Sequence, residues 1–208
     1  MKTVKIFPLL SLLLFLLSCG STRITSSWSA DNAGKEQHHK IIVIGIINEK
    51  DRQLRTLMES RLVDNLKDHG YDAVSAMEQY GPNAFKKLSE DEIVSRLSSS
   101  GYNAVLTIVL LNKQKEQNYV PGTVNYVPVG AYYHRFWGYY STIYDRVYMP
   151  GYYDVSTQYF WESNFYDVKS SELIYSVQTK AFDPSSSESL AQEYGNKIVK
   201  DMAKKKVI

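Results

Sequence analysis

The run Ile41-Ile42-Val43-Ile44-Gly45-Ile46-Ile47 narrows the fold more than any other stretch of the chain. A strand with one wet face alternates apolar and polar residues. An unbroken β-branched run has no face to give to water, so both its sides must be covered, as in a parallel sheet flanked by helices. Helical spacing follows at once. Leu54, Leu57, Met58, Leu62 and Leu66 fall on one stripe between Asp51 and His69, and Gly70 provides a stop. Tyr71 to Ala76 reads as a short strand. Ser89 and Glu92 form a capping-box pair ahead of Ile93, Val94 and Leu97, with Gly101 ending that helix. Asn103 to Asn112 is a third apolar strand. The order is βαβαβ, for which right-handed crossovers make the strands parallel.

The C-terminal part changes period. From Asp154 to Val168, Val155, Thr157, Tyr159, Trp161 and Phe165 share one face, with Gln158, Glu162 and Asn164 on the other. The Lys169-Ser170-Ser171-Glu172 turn leads into Leu173 to Phe182, which completes a β-hairpin. A last helix opens near Pro184 and Ser185, with Glu188 as a capping-box candidate and Leu190, Tyr194, Ile198 and Met202 as its buried stripe. Gly195 within it predicts close packing against the sheet, and Lys204 to Lys206 suit a solvated helix end. The expected fold is α/β: a βαβαβ unit plus a β-hairpin and C-terminal helix, in a mixed sheet of about five strands with packed helices.

Met1 to Ser18 has two lysines, an apolar stretch from Ile6 to Leu17 and then small residues. Those twelve apolar-dominated residues are too short a stretch to span a bilayer core of about 30 Å, and the pattern is that of a secretory signal peptide. The only cysteine, Cys19, stands at its boundary in Leu16-Leu17-Ser18-Cys19-Gly20. This sequence resembles the bacterial lipobox, although Leu17 occupies a position more often held by a small residue. The resemblance implies that Cys19 carries acyl chains as the first residue of the mature protein, and membrane partnership through those chains. By resemblance to Gram-negative lipoproteins, Gly20 and Ser21 lack the aspartate linked to inner-membrane retention, and the resemblance implies an outer-membrane anchor facing the periplasm.

Charge supports no nucleic-acid partner. The chain has 24 basic and 22 acidic residues, and both surplus cations, Lys2 and Lys5, lie in the signal segment. One cysteine also excludes a disulfide framework or a multi-cysteine metal site. Domain limits read as a signal peptide at 1–18, a Ser/Thr-rich tether at 19–39 and one α/β domain at 40–208. Within the tether, Ile24, Ser26 and Trp28 alternate with polar neighbours, which suits an edge strand with Trp28 docked on the body. The signal with Cys19, the Lys40 to Ala76 unit and the Gly101-Tyr102-Asn103-Ala104-Val105 entry resemble small α/β envelope lipoproteins. The resemblance extends to the N-terminal domain of the Tol translocation protein and to curli-secretion-type lipoproteins. Tyr166-Asp167-Val168, Glu172-Leu173-Ile174-Tyr175 and Phe182-Asp183-Pro184-Ser185 resemble a group of uncharacterised bacterial lipoproteins. These motifs imply fold and envelope location, and no site residue beyond Cys19.

No phosphate-binding loop, nucleophile elbow, zinc-protease helix or calcium loop is present. His38 and His39 are adjacent in a polar stretch, and neighbours on an extended chain point to opposite faces, so they predict no shared metal. His69 suits a helix C-terminus, and Glu90-Asp91-Glu92 suits a helix first turn. No catalytic residue, cofactor or metal is predicted.

The anomaly is Tyr119 to Tyr153, where 35 residues hold ten tyrosines together with Phe136 and Trp137, punctuated by glycine and proline. An insertion of this length is usually functional or mobile. Its rings suit packing on the sheet, a protein interface, or stacking on sugars or at a membrane surface. Tyr132, Tyr133, His134, Arg135, Trp137, Tyr139 and Tyr140 are the densest cluster and the candidate binding residues. The expected function is that of a non-catalytic, lipid-anchored envelope protein, a binding or assembly module for an envelope partner. The alternative is a periplasmic glycan-binding or glycan-modifying protein that uses the aromatic insertion as a stacking platform. Oligomeric state has no signature in the sequence.

Overall fold

The apolar run becomes β2, spanning Lys40–Ile46, and it is covered on both sides. Ile41 and Val43 enter one core, while Ile42 and Ile44 belong to a second on the opposite face. Around it lie β1 Thr22–Ser29, β3 Asp72–Ser75, β4 Ala104–Val120, β5 Tyr152–Asp167 and β6 Leu173–Phe182. Among the described residues four α-helices connect or cover them: α1 Arg52–Asp68, α2 Ala76–Tyr80, α3 Glu90–Ser99 and α4 Ser187–Lys204. This computed structural model describes residues 20–34, 38–83, 85, 88–120 and 152–208.

The six strands form one mixed sheet in the order β1-β6-β5-β4-β2-β3. β2 is parallel to β3 and to β4, and β6 is antiparallel to β5 and to β1. The fold is therefore mixed α/β, closed by a C-terminal helix. Described residues up to Lys113 and from Gln158 onward make one compact unit, and the described residues 114–120 and 152–157 belong to a second. The third strand of the βαβαβ reading runs on to Val120 rather than ending at Asn112. Residues 111–118 are all exposed, so they carry no apolar period from which a strand could be read.

The larger core lies on one face of the sheet. Leu106, Ile108, Trp161, Phe165, Tyr175 and Val177 meet Leu54, Met58, Leu62 and Leu66 of α1, and Leu190, Tyr194, Ile198 and Met202 of α4. Each fully buried aliphatic or Phe side chain contributes about 1.5–3 kcal/mol. On the opposite face α2 and α3 cover a smaller cluster of Ile42, Ala76, Leu97, Tyr102 and Val168. Two details differ from the pattern of the sequence. Gly195 packs against α1 and not the sheet: a Cβ there would lie 2.8 Å from Asn65 Nδ2 and 3.3 Å from Arg61 O. The N-cap of α4 is Ser186, whose hydroxyl accepts from Ser189 N at 3.0 Å, so the Ser185–Glu188 pairing is one residue out of phase. At α3 the Ser89–Glu92 capping box forms as its spacing predicts.

β1 is an edge strand on β6, but Trp28 does not dock on the core. A register shift between Ile24 and Ser26 sets Ile24 opposite Thr179 and Trp28 opposite Ser176. Residues 176 and 179 face opposite sides, so the bulge moves Trp28 off the core face and leaves it 50% exposed.

Candidate functional site

Cys19 and the cluster Tyr132, Tyr133, His134, Arg135, Trp137, Tyr139 and Tyr140 lie outside the described residues, as do residues 1–18. The described candidate groups lie elsewhere. The histidine pair is one correction. His38, placed in a polar tether by its sequence context, is buried, with its ring edge-to-face on Phe165 at 5.2 Å. Its Nε2 lies 3.2 Å from Asp167 Oδ2. A carboxylate only accepts, so Nε2 carries the proton of this hydrogen bond. Asp167 also accepts from Ser170 N at 2.6 Å and Ser170 Oγ at 3.0 Å. Burial pushes the Asp167 carboxyl up, but the Ser170 and His38 hydrogen bonds together outweigh it and hold the group below its ordinary value. The pair pins the chain entering β2 to the chain leaving β5. His69 is the C-cap of α1, and its Nδ1 lies 2.8 Å from Asn65 O. Glu92 is occupied by the capping box, and hydrogen bonds from the Ser89 backbone and hydroxyl hold its carboxyl below the usual value. Among the described residues no three His, Cys, Asp or Glu side chains converge as metal ligands would, and no helix is long and apolar enough to cross a membrane.

The second face of the sheet carries exposed side chains. The smaller helical cover, α2 and α3, packs over β2, β3 and the start of β4. Among the described residues no helix continues that cover across β5, β6 and β1. Alternation along β6 turns Ser176, Gln178, Lys180 and Phe182 to this side, and register brings Asn164, Glu162 and Phe160 of β5 opposite the first three. The centre of the face is a polar ladder. Gln178 Nε2 donates to Glu162 Oε2 at 2.9 Å, and Asn164 Nδ2 donates to Glu162 Oε1 at 3.1 Å. Both Glu162 oxygens are thereby engaged by amides. Rings flank the ladder: half-exposed Trp28 at one end, half-exposed Phe182 and Phe160 at the other, with Lys180 Nζ 5.1 Å above the Phe160 ring.

Along α3, a groove of about 290 Å³ opens between Ile93, Val94 and Leu97 of the helix and Val105, Thr107 and Val168 of the sheet side. Thr107 belongs to groove and ladder alike. Its hydroxyl donates to Asn164 O at 3.3 Å and accepts from Asn164 N at 3.1 Å. Apolar walls beside a hydrogen-bonding ladder and an exposed indole suit a binding surface, since Trp anchors and small apolar pockets concentrate interface energy. The sequence shows the alternation of β5 and β6 but not Trp28, whose side of the sheet depends on a bulge.

No family model matches this chain, and no curated protein matches it. Solved structures do resemble it. The PelC dodecamer from Paraburkholderia phytofirmans is similar at 13% identity over 83% of this chain and 89% of that one, with a TM-score of 0.41. Lipoprotein GNA1162 from Neisseria meningitidis is similar at 12% identity over 80% of this chain and 99% of that one, with a TM-score of 0.43. A PDZ domain protein from Parabacteroides distasonis is similar at 9% identity over 88% of this chain and 37% of that one, with a TM-score of 0.35. At these scores nothing specific to a neighbour passes to this chain.

Proposed function

We propose that this chain is a lipid-anchored protein of the bacterial cell envelope that works by binding a partner protein, without catalysis, through the open face of its sheet. The observation that carries the reading is the α3 groove, which shares Thr107 with a polar ladder flanked by a half-exposed Trp28. A partner segment crossing the face would seat an apolar side chain in the groove and hydrogen-bond along Gln178, Glu162 and Asn164. The lipobox-like Cys19 would confine the domain to a membrane, on this reading the periplasmic side of the outer membrane. Confinement raises the effective concentration near an envelope partner without any added contact. The tyrosine-rich insertion, with Tyr132 to Tyr140 as its densest part, would add contact area.

A photo-crosslinking residue at position 28 tests this in cells. The reading expects one discrete protein adduct that disappears when Val94→Asp places a charge in the groove, with circular dichroism and Tm close to native. An adduct indifferent to Val94→Asp overturns it. Exposed Trp28 close to the amides of Gln178 and Asn164 also suits a sugar ring, which keeps a glycan platform as the second reading. Saturable quenching of tryptophan fluorescence by peptidoglycan fragments, lost in Trp28→Phe, would select that reading instead.

A further inference from the structure

Outside the carboxyl ends of β2 and β3 the chain leaves in opposite directions. β2 leads to α1, which packs in the larger core, and β3 leads to α2, which packs on the other face. The crevice between two such departures is where open α/β sheets take ligands. Position in a fold does not make a site, so the chemistry must. Here the crevice is a cavity of about 230 Å³, lined by Asn48, Arg52, Arg55, Met77, Pro82 and Asn83 together with Ile47.

Its two arginines are three residues apart, on one side of α1. They are held differently. Arg55 is fixed: Nε donates to Glu59 Oε1 at 3.0 Å, and Nη1 donates to Pro82 O at 3.2 Å. Glu59 is itself fully buried, and it accepts from Gly45 N at 2.8 Å, Ser75 Oγ at 2.6 Å and Met77 N at 2.9 Å. Three separate elements therefore position the carboxylate that positions the guanidinium. The fork is pre-aimed, and its remaining N–H bonds have no protein acceptor among the described residues. Arg52 is exposed, and its guanidinium makes no hydrogen bond or ion pair among the described residues. Glu59 balances one of the two cations and leaves the other over. A cation in the first turn of α1 opposes the dipole, and no acidic residue stands there to offset it.

We infer that this crevice binds a small oxyanionic group, the phosphate or carboxylate end of a ligand, with Arg55 as the fixed fork and Arg52 as the mobile second donor. Planar guanidinium forks match both oxyanions in bidentate geometry. The site is separate from the open face, so it stands or falls independently of the proposed partner.

The test is a nuclear magnetic resonance titration of the ¹⁵N-labelled full chain in uncharged detergent, at constant ionic strength, with inorganic phosphate, acetate and chloride as probes. Saturable shifts are expected at the Arg55 Nε–H and at the amides of Asn48, Met77 and Asn83 with phosphate or acetate, and not with chloride. The stronger of the two probes identifies the ligand end. Arg52→Glu changes an exposed side chain and should weaken binding about tenfold, a difference of about 1.4 kcal/mol, with Arg52→Gln intermediate. Equal shifts with chloride, or an Arg52→Glu chain that titrates like the native one, would overturn the assignment.

Discussion

The backbone N–H of Gly45 donates to Oε1 of Glu59 at 2.8 Å, and the carboxylate occupies the place where a side chain at position 45 would project. A Cβ on residue 45 would come within 2.8 Å of both that oxygen and Arg55 Cγ. Strand β2 therefore needs glycine there for the close approach of α1, and the helix answers with a buried acceptor.

Glu59→Gln is expected to destabilise the fold although it keeps the shape. Both oxygens accept from two donors: Gly45 N and Arg55 Nε on one, Ser75 Oγ and Met77 N on the other. Whichever way the amide turns, its NH₂ meets N–H or O–H groups. Removing one partner of a buried ion pair costs about 3–5 kcal/mol, and urea unfolding should show a loss of that order with an unchanged m value. A loss under about 1 kcal/mol would mean that the network is not a stabilising unit.

Asp167 makes stability depend on acid. Its folded-state carboxyl sits below the ordinary value of 3.8 because the Ser170 and His38 hydrogen bonds outweigh the opposing effect of burial. A depressed carboxylate stabilises fully above its unfolded value, and that contribution fades as pH falls from about there through the folded value. Tm measured between neutral pH and pH 3 should fall more steeply for the native chain than for Asp167→Asn, which begins less stable and has no carboxylate to protonate at that site. Parallel curves would contradict the assignment.

The sheet and its helices were legible because burial leaves a period. Ile41 to Ile47 announces a strand covered twice, and the stripe from Leu54 to Leu66 announces α1. What depends on partners at long range left no local trace. Trp28 keeps the parity of Ile24 in sequence and loses it to a bulge set by pairing with β6. His38 looks like tether until Asp167, far along the chain, is folded beside it. Glu59 and Arg55 read as a surface pair at helical spacing, because nothing in α1 reveals that Gly45, Ser75 and Met77 converge on the carboxylate. The proposed binding face is half legible: β5 and β6 alternate plainly, but the groove exists only where α3 is packed over β4 and Val168 by contacts distant in sequence.

Gly195→Val should separate α4 from α1. The new side chain would enter space bounded by Asn65 Nδ2 and Arg61 O, and Asn65 is itself buried and donates to Arg61 O at 2.7 Å. Overpacking of this kind typically costs about 1–3 kcal/mol. A smaller partner should relieve part of it. Asn65→Ala combined with Gly195→Val is expected to recover some Tm, and a double variant no better than the single one would place the strain elsewhere.

Alkali should expose the same core from the other side of neutrality. Burial pushes the hydroxyls of Tyr175 and Tyr194 well above the ordinary value of 10.0. For Tyr175 the hydrogen bond to Asp201 Oδ2, at 2.8 Å, pushes in the same direction. Tyr194 shares its proton with Ser163 Oγ at 2.6 Å, which lowers the value, and burial still dominates. Because the folded values are raised, the stability these groups confer is complete below about 10 and declines once unfolded tyrosine can ionise and folded tyrosine cannot. The chain has 17 tyrosines. Ultraviolet titration of the native protein should leave a fraction that ionises only together with loss of near-ultraviolet circular dichroism, and the fraction should shrink in Tyr175→Phe and again in the Tyr175→Phe, Tyr194→Phe double variant. Full ionisation of every tyrosine with the fold intact would show that water reaches the interface between α4 and the sheet.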